Sequence, residues 1–185
     1  MYRLFVAIDP PPDIKTQLAA ISIGVPGARW LTAEQQHLTL RFIGEVDGGV
    51  FRDVAEVLRE VHNPPFDLTL CGVGHFPPRK DPEQLWVGVE KCEALAQLHN
   101  KIEAALSRIG VRRDGRKFAP HVTLAHLKNA NINRVGGYLA GNNLLKLPPF
   151  PVTEFLLYSS ALSSQGAIHQ IEATYQLNGK ENHLQ

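Results

Sequence analysis

The chain has 185 residues, of which 44% are hydrophobic and 20% are charged, so it can bury a core and is too apolar for a disordered protein. Its formal net charge of +1 argues against a protein that coats long nucleic acid by bulk charge, but leaves room for a local basic pocket. Two cysteines are too few for a disulfide framework or a Cys-rich zinc site, which favours a reducing compartment. No apolar run approaches the roughly 20 residues that cross a bilayer, and we expect a cytoplasmic protein without membrane contact.

The pattern of apolar residues predicts strands and helices mixed along the chain. Alternation of apolar and polar residues predicts strands, and apolar residues three or four apart predict helices. Prolines and glycines mark most of the boundaries. In chain order the predicted elements are a strand at 4–8, a helix from 13 to about 24, an extended segment at 29–31, a strand at 37–43, a helix from 47 to about 62, strands at 66–73 and 85–89, a helix at 91–109, a strand at 121–127, a weak helix at 131–139 interrupted by two glycines, and strands at 150–160 and 168–177.

This mixture predicts an α+β fold with largely antiparallel sheets, because several neighbouring strands are joined by short turns. We expect a single domain over residues 1–185, with the polar residues 178–185 as a frayed tail.

An internal repeat is the most informative feature. The residues His37-Leu38-Thr39-Leu40 recur 84 residues later as His121-Val122-Thr123-Leu124, each in a predicted strand. With eight histidines and seven threonines, about 0.3 His-x-Thr patterns are expected by chance. Two copies in the same context therefore predict two pseudo-symmetric lobes that contribute one motif strand each.

Strand geometry brings the polar residues of each motif together. Side chains alternate between the two faces of a strand, so the histidine and the threonine of one motif project to the same side. The apolar residues between them would pack against helices on the outer faces. The polar faces then need a cleft between the lobes, and we expect His37, Thr39, His121 and Thr123 to line it.

Two imidazoles in one cleft suit phosphoester chemistry. One histidine can take a proton from the attacking oxygen while the other gives a proton to the leaving oxygen, and threonine hydroxyls can bind phosphate oxygens. A lone histidine on a strand is usually an ordinary polar residue, but the coincidence of both repeats favours catalysis. A module that binds nucleotides or RNA ends without turnover is the alternative. A zinc site is disfavoured, because no cysteine or carboxylate accompanies the histidines at ligand spacing.

At these motifs the sequence resembles the bacterial and archaeal RNA 2′,3′-cyclic phosphodiesterases, historically called 2′-5′ RNA ligases, of the two-histidine phosphoesterase superfamily. The resemblance covers most of the chain. It rests on the segments Phe5–Asp9, His37–Glu45, Leu85–Val89, Phe118–Ala125 and Phe155–Ser160.

The resemblance implies a bilobal fold and hydrolysis of 2′,3′-cyclic phosphate ends of RNA or nucleotides to 2′-phosphates, with weak reverse 2′-5′ ligation. It implies no cofactor and no metal, and we expect a monomer. His37 would be the proton donor and His121 the proton acceptor, although the near-identical motifs do not separate these roles. Thr39 and Thr123 would bind the phosphate.

Other residues are candidates for contacts with the substrate. Arg41 has the strand parity of His37 and would join the threonines at the phosphate, whereas a surface arginine is the alternative. Arg116 and Lys117 in the basic connector at 111–117 are candidates for phosphate-backbone or RNA contacts, and a solvated connector is the alternative. Phe118 is a candidate for stacking on a base, although most aromatic residues belong to the core. Two positions depart from the family pattern.

The departures are His126, where many relatives carry arginine, and His169, where a tyrosine is common. His126 remains a candidate for an RNA or base contact. The other histidines show no paired spacing, so we expect them on the surface by default; they are His62, His75, His99, His169 and His183.

Overall fold

A computed structural model describes residues 1–178 of the chain, which form ten strands and four α-helices. Most of residues 178–185, predicted to be a frayed tail, therefore lie outside the described part of the chain. The strands are β1 (Tyr2–Ile8), β2 (Arg29–Trp30), β3 (Leu38–Val46), β4 (Phe66–Leu68), β5 (Leu70–Phe76), β6 (Gln84–Val89), β7 (His121–His126), β8 (Phe150–Val152), β9 (Glu154–Ser163) and β10 (Gly166–Gln176). The helices are α1 (Pro12–Ala20), α2 (Gly48–Val57), α3 (Glu93–Arg108) and α4 (Ile132–Asn142).

Eight of the strands form one sheet in the order β10-β9-β1-β3-β7-β6-β5, with β2 paired to β7. Strands β4 and β8 form a separate two-stranded sheet. Every pairing is antiparallel. The predicted α+β class with antiparallel sheets is confirmed.

The helices cover one face of the large sheet. Strand β1 shows the division, since Leu4, Val6 and Ile8 belong to the core that the helices complete. Phe5 and Ala7, between them in sequence, pack with Leu156 and Tyr158 in a separate small cluster on the other face. The face without helices is therefore the one that is left to form the cleft.

The elements differ from the sequence prediction mainly where the chain changes sheet. The predicted strand at 66–73 is two strands, because β4 pairs with β8 and β5 pairs with β6. The predicted strand at 150–160 is divided in the same way into β8 and β9. Helix α4 continues through Gly136 and Gly137, because Val135 and Tyr138 bury its apolar side against the core.

Two glycines make room for a large ring next to the second motif. Trp86 of β6 lies across Gly74 of β5 and against Gly88, and a Cβ atom at Gly74 would collide with its indole. The centroid of the indole lies 6.2 Å from that of the His121 ring. The small residues thus let an aromatic wall form beside the motif.

Within the described residues, no helix has the length and hydropathy of a membrane span.

Candidate active site

The two motifs meet where the halves of the large sheet join. Strands β3 and β7 share a single pair of opposed residues, Leu38 and Val122, which are the second residues of the two motifs. In antiparallel register the residues before and after this pair lie crosswise, with His37 toward Thr123 and Thr39 toward His121. Each motif thus presents its histidine beside the threonine of the other.

His37 lies in an aromatic pocket at the start of β3. The residue is 8% exposed. The centroid of its ring is 4.5 Å from that of Tyr158, 5.1 Å from that of His169 and 5.9 Å from that of Phe5. These neighbours come from β9, β10 and β1, so strands distant in sequence fix the position of the ring.

This pocket makes protonation of His37 unfavourable in the free protein. Burial removes the imidazolium from water, and the positive charges of His169 and Lys15 add repulsion. These effects lower the pKa of His37 to about 3, although a hydrogen bond with the backbone of Gln35 acts in the opposite direction. His37 is therefore neutral near pH 7.

His121 lies in a more open position, between Phe76 and Trp86. Its ring packs edge-on against Phe76 with centroids 4.9 Å apart. The Nδ1 atom lies 2.7 Å from the carbonyl oxygen of Ala119, and because that oxygen only accepts, Nδ1 must carry the hydrogen. In the neutral ring the lone pair is then on Nε2. Burial lowers the pKa of His121 as well.

The two motif threonines differ in their surroundings. Thr123 accepts a hydrogen bond from the side-chain amide of Gln84 on the neighbouring strand β6. Thr39 is exposed and lies opposite Ala7 of β1. The sequence did not single out Gln84, because a lone glutamine in a strand carries no motif.

A cavity of about 510 Å³ gathers many of the predicted site residues. Thr39 and His121 line it together, which places parts of both motifs on one concave surface. His37 lies outside this lining, two residues before Thr39. Further lining residues that the sequence singled out are Arg41, Arg116, Lys117 and Phe118.

Arg41 does not keep the strand parity that the sequence predicts. Val6 of β1 pairs with Arg41, whereas the next residue, Ala7, pairs with Thr39, so β3 contains a bulge at Leu40. A bulge adds one residue to a strand and breaks the alternation of its side chains. Thr39 and Arg41 consequently do not share a face.

The guanidinium of Arg41 is held by other parts of the protein. It forms an ion pair with Glu103 of α3, and both side chains are nearly buried. It also donates hydrogen bonds to the carbonyl oxygens of Phe42, at 2.6 Å, and of Arg112. Arg41 thus ties the basic connector to β3 and α3 at the wall of the cavity, and a role in phosphate binding stays a prediction.

Phe118 stacks on a histidine that the sequence placed on the surface. The rings of Phe118 and His99 are parallel within 1°, with centroids 4.0 Å apart, and both residues line the 510 Å³ cavity. The same default was wrong for His169, which packs beside His37. No repeat marks His99 or His169, because their partners come from other elements of the fold.

The remaining candidates lie toward the outside. Arg116 is exposed and pairs with Asp114, with Nη2 2.9 Å from Oδ2. His126 lines a second and larger cavity instead of the one around His121. In residues 1–178, no three His, Cys, Asp or Glu side chains are grouped so that they could hold a metal ion.

The sequence profile of the 2′-5′ RNA ligase superfamily matches residues 10–162. An RNA 2′,3′-cyclic phosphodiesterase of Thermotoga maritima is 33% identical to this chain over 190 aligned residues, which cover 96% of each protein. The crystal structure of TT0787 of Thermus thermophilus shares the fold, with a TM-score of 0.80, 24% identity, and coverage of 95% of this chain and 97% of that chain. The structure of E. coli LigT complexed with 3′-AMP has a TM-score of 0.75, 26% identity, and coverage of 95% and 98%.

Proposed function

This chain belongs to the 2′-5′ RNA ligase superfamily, and on that premise we propose that it hydrolyses the 2′,3′-cyclic phosphate ends of RNA or nucleotides to 2′-phosphates. The observation that carries the proposal is the crosswise meeting of the two motifs at Leu38 and Val122. It supports a reaction in which one histidine serves each side of the phosphorus. Relatives that align with most of the chain are named RNA 2′,3′-cyclic phosphodiesterase, which supports the substrate class.

In the proposed mechanism His121 is the base. Because its Nδ1 hydrogen is bonded to the Ala119 carbonyl, Nε2 is free to accept a proton from water. The water oxygen forms a bond to phosphorus as the bond from phosphorus to the 3′ oxygen breaks. His37 gives its proton to that oxygen, and the phosphate remains on the 2′ oxygen.

The acid role of His37 requires a proton that the free protein does not hold. The low pKa of His37 comes first from burial and then from neighbouring positive charge. An anionic phosphate beside the ring acts against both effects, because an opposite charge favours the protonated form. We therefore expect His37 to take up its proton together with the substrate.

The phosphate is assigned to Thr39, which lines the cavity with His121, and to Thr123, whose hydroxyl is bonded to Gln84 of the same lining. Arg41 contributes positive charge from the cavity wall, although Glu103 offsets it. The terminal base is assigned to the stacked pair of Phe118 and His99.

The surface around the cavity supports an RNA end as substrate. Arg116 and Lys117 line the cavity and supply positive charge for the chain that leads away from the cyclic end. His126 lines the adjoining cavity, where it would contact the same RNA. Weak 2′-5′ ligation is the same step with the 5′ hydroxyl of a second RNA in place of water: its oxygen bonds to phosphorus as the bond to the 3′ oxygen breaks, which leaves a 2′-5′ linkage.

We propose further that the chain forms one bilobal domain and works as a monomer in the cytoplasm. All the residues assigned to the site come from one chain. Cys71 and Cys92 are both free thiols, as is usual in a reducing compartment.

The test is incubation with a 2′,3′-cyclic nucleotide and with a short RNA that ends in a cyclic phosphate. Both should give the 2′-phosphate, and turnover should survive dialysis against a chelator. Binding without turnover would favour the alternative of a non-catalytic module. Loss of activity that a divalent ion restores would contradict acid–base catalysis by two histidines alone.

A further inference from the structure

A second cavity of about 1030 Å³ adjoins the one around His121. The two share Phe76 and Gln84 in their linings. Phe76 packs on the His121 ring and Gln84 donates to Thr123, so the dividing wall is made of residues that touch the second motif. A ligand held at His121 therefore lies next to the entrance of the larger cavity.

Two loops and two strand ends form this cavity. One side is the connection between β5 and β6, and the other is the turn between β7 and α4. A backbone hydrogen bond of 2.8 Å from Leu127 to Glu83 joins the two sides. The volume is at the upper end of the range of small-molecule sites, about 300–1,000 Å³, and accommodates a nucleoside.

The charges of the lining disfavour phosphate and suit a neutral polar group. Asp81 and Glu83 contribute two carboxylates, and Lys128 contributes one ammonium. Carboxylates repel phosphate, but they accept hydrogen bonds from ribose hydroxyls and from base amino groups. Gln84 and Asn129 add amides that both donate and accept.

The turn also holds Asn129 in an unusual backbone conformation. Its φ angle is 52°, and it is the only residue other than glycine with a positive φ among the described residues. Such conformations cost free energy and are concentrated at binding sites. Here the conformation brings Asn129 into the lining of the cavity.

We propose that this cavity binds the nucleoside that precedes the terminal nucleotide, so that the protein acts on RNA ends in preference to mononucleotides. The proposal rests on the proposed function, which places the cyclic phosphate between the two motifs. The neutral nucleoside lies against the polar lining, with Phe76 at the boundary between the two nucleosides.

The experiment compares kcat/KM for a dinucleotide and a mononucleotide that both end in a 2′,3′-cyclic phosphate. We expect the dinucleotide value to be at least about ten-fold higher, because a second base adds stacking and hydrogen bonds. Asn129→Gly removes the amide and retains the backbone conformation. It should lower the dinucleotide value about five-fold and leave the mononucleotide value within about two-fold. Asn133→Ala, in the exposed first turn of α4 and outside the lining, is the matched control and should change neither value.

Equal kcat/KM for the two substrates would overturn the proposal. An equal loss on both substrates in Asn129→Gly would also overturn it, because the cavity would then hold the terminal nucleoside. If neither compound is hydrolysed, the proposed function fails, and the cavity is then tested by measuring binding affinity. In that case a dinucleotide that ends in a 2′-phosphate must bind about ten-fold more tightly than a mononucleotide 2′-phosphate, and Asn129→Gly must remove this difference in affinity. Any other result refutes the second site.

Discussion

The His37 half and the His121 half of the cleft carry the same four-residue pattern in different surroundings. His37 is nearly buried among Phe5, Tyr158 and His169, and its pKa is lowered to about 3 by burial and neighbouring positive charge. His121 is half-buried beside Phe76 and Trp86 at an open cavity, and burial is the largest cause of its lowered pKa.

This difference shows that the motif supplies the functional groups while the rest of the fold sets their protonation. In the free protein the first proton goes to the more open His121, because His37 is more deeply desolvated. The proposed roles need the opposite distribution. The substrate anion must therefore reverse this order of protonation, or the two roles must be exchanged, and variants of the two histidines separate these outcomes.

The largest expected effect is the loss of turnover in His37→Ala and in His121→Ala. Each should lower kcat on a cyclic nucleotide about 10²–10⁴-fold, the usual contribution of general acid–base catalysis. An ester with a nitrophenolate leaving group needs no proton on that oxygen, so it bypasses the acid. On this ester His37→Ala should recover most of its activity and His121→Ala should not. Recovery of His121→Ala instead would exchange the two roles.

The second prediction concerns acid stability. A histidine whose pKa is about 3 when folded and about 6.5 when unfolded binds its proton preferentially in the unfolded chain, so stability falls as the pH drops from 6.5 toward 3. Each pH unit in that window costs about 1.4 kcal/mol. Between pH 7 and pH 5 the free energy of unfolding of His37→Gln should therefore fall by about 2 kcal/mol less than that of the unmodified protein, as measured by urea unfolding. His62→Gln, at an exposed histidine, is the control. If the free energy of unfolding of His37→Gln fell as much as that of the unmodified protein, the His37 ring would not be desolvated.

The threonines provide a smaller comparison. Thr39→Ala and Thr123→Ala should each lower kcat/KM. The loss of transition-state stabilisation should be on the order of 1–3 kcal/mol, the value of a hydrogen bond to a charged group. Thr123→Ala also leaves the Gln84 amide without its partner, so only this variant should lower the free energy of unfolding measurably. If Thr39→Ala were destabilising to the same degree, Thr39 would have a structural role instead.

The smallest expected effect is at His169. Replacement by Phe retains an aromatic edge against His37 and removes a group whose charge disfavours protonation of that ring. The pKa of His37 should rise by less than about one pH unit, visible in the nuclear magnetic resonance titration of its ring protons. His169→Tyr should behave alike, and an unchanged titration in both variants would show that the charge of His169 does not contribute to this pKa.

The alternation and periodicity of the sequence were sufficient to predict most elements and the polar face of each motif. Local patterns do not show where the chain passes from one sheet to another, so β4 and β5 were predicted as one strand. They also do not show the bulge at Leu40, which depends on the register with β1 and which turns Arg41 toward Glu103.

The repeated residues of the site could be predicted from the sequence, and the other residues of the site could not. Gln84, His99 and His169 belong to strands and a helix that meet the motifs only after folding. Their partners, Thr123, Phe118 and His37, are distant in sequence. A single sequence contains no signal for such pairs, because their meaning comes from long-range contact.

The single pair of Leu38 and Val122 also bears on ancestry. When equivalent residues of two repeats oppose each other in antiparallel strands, a two-fold axis passes between them. Two separate copies of a half-length chain, joined through the same strand, would meet in an isologous contact with the second motif residue on the axis. The arrangement is that of a symmetric dimer whose subunits are joined into one polypeptide. Once the copies are fused, each half is free to diverge, and the two histidines no longer need the same environment.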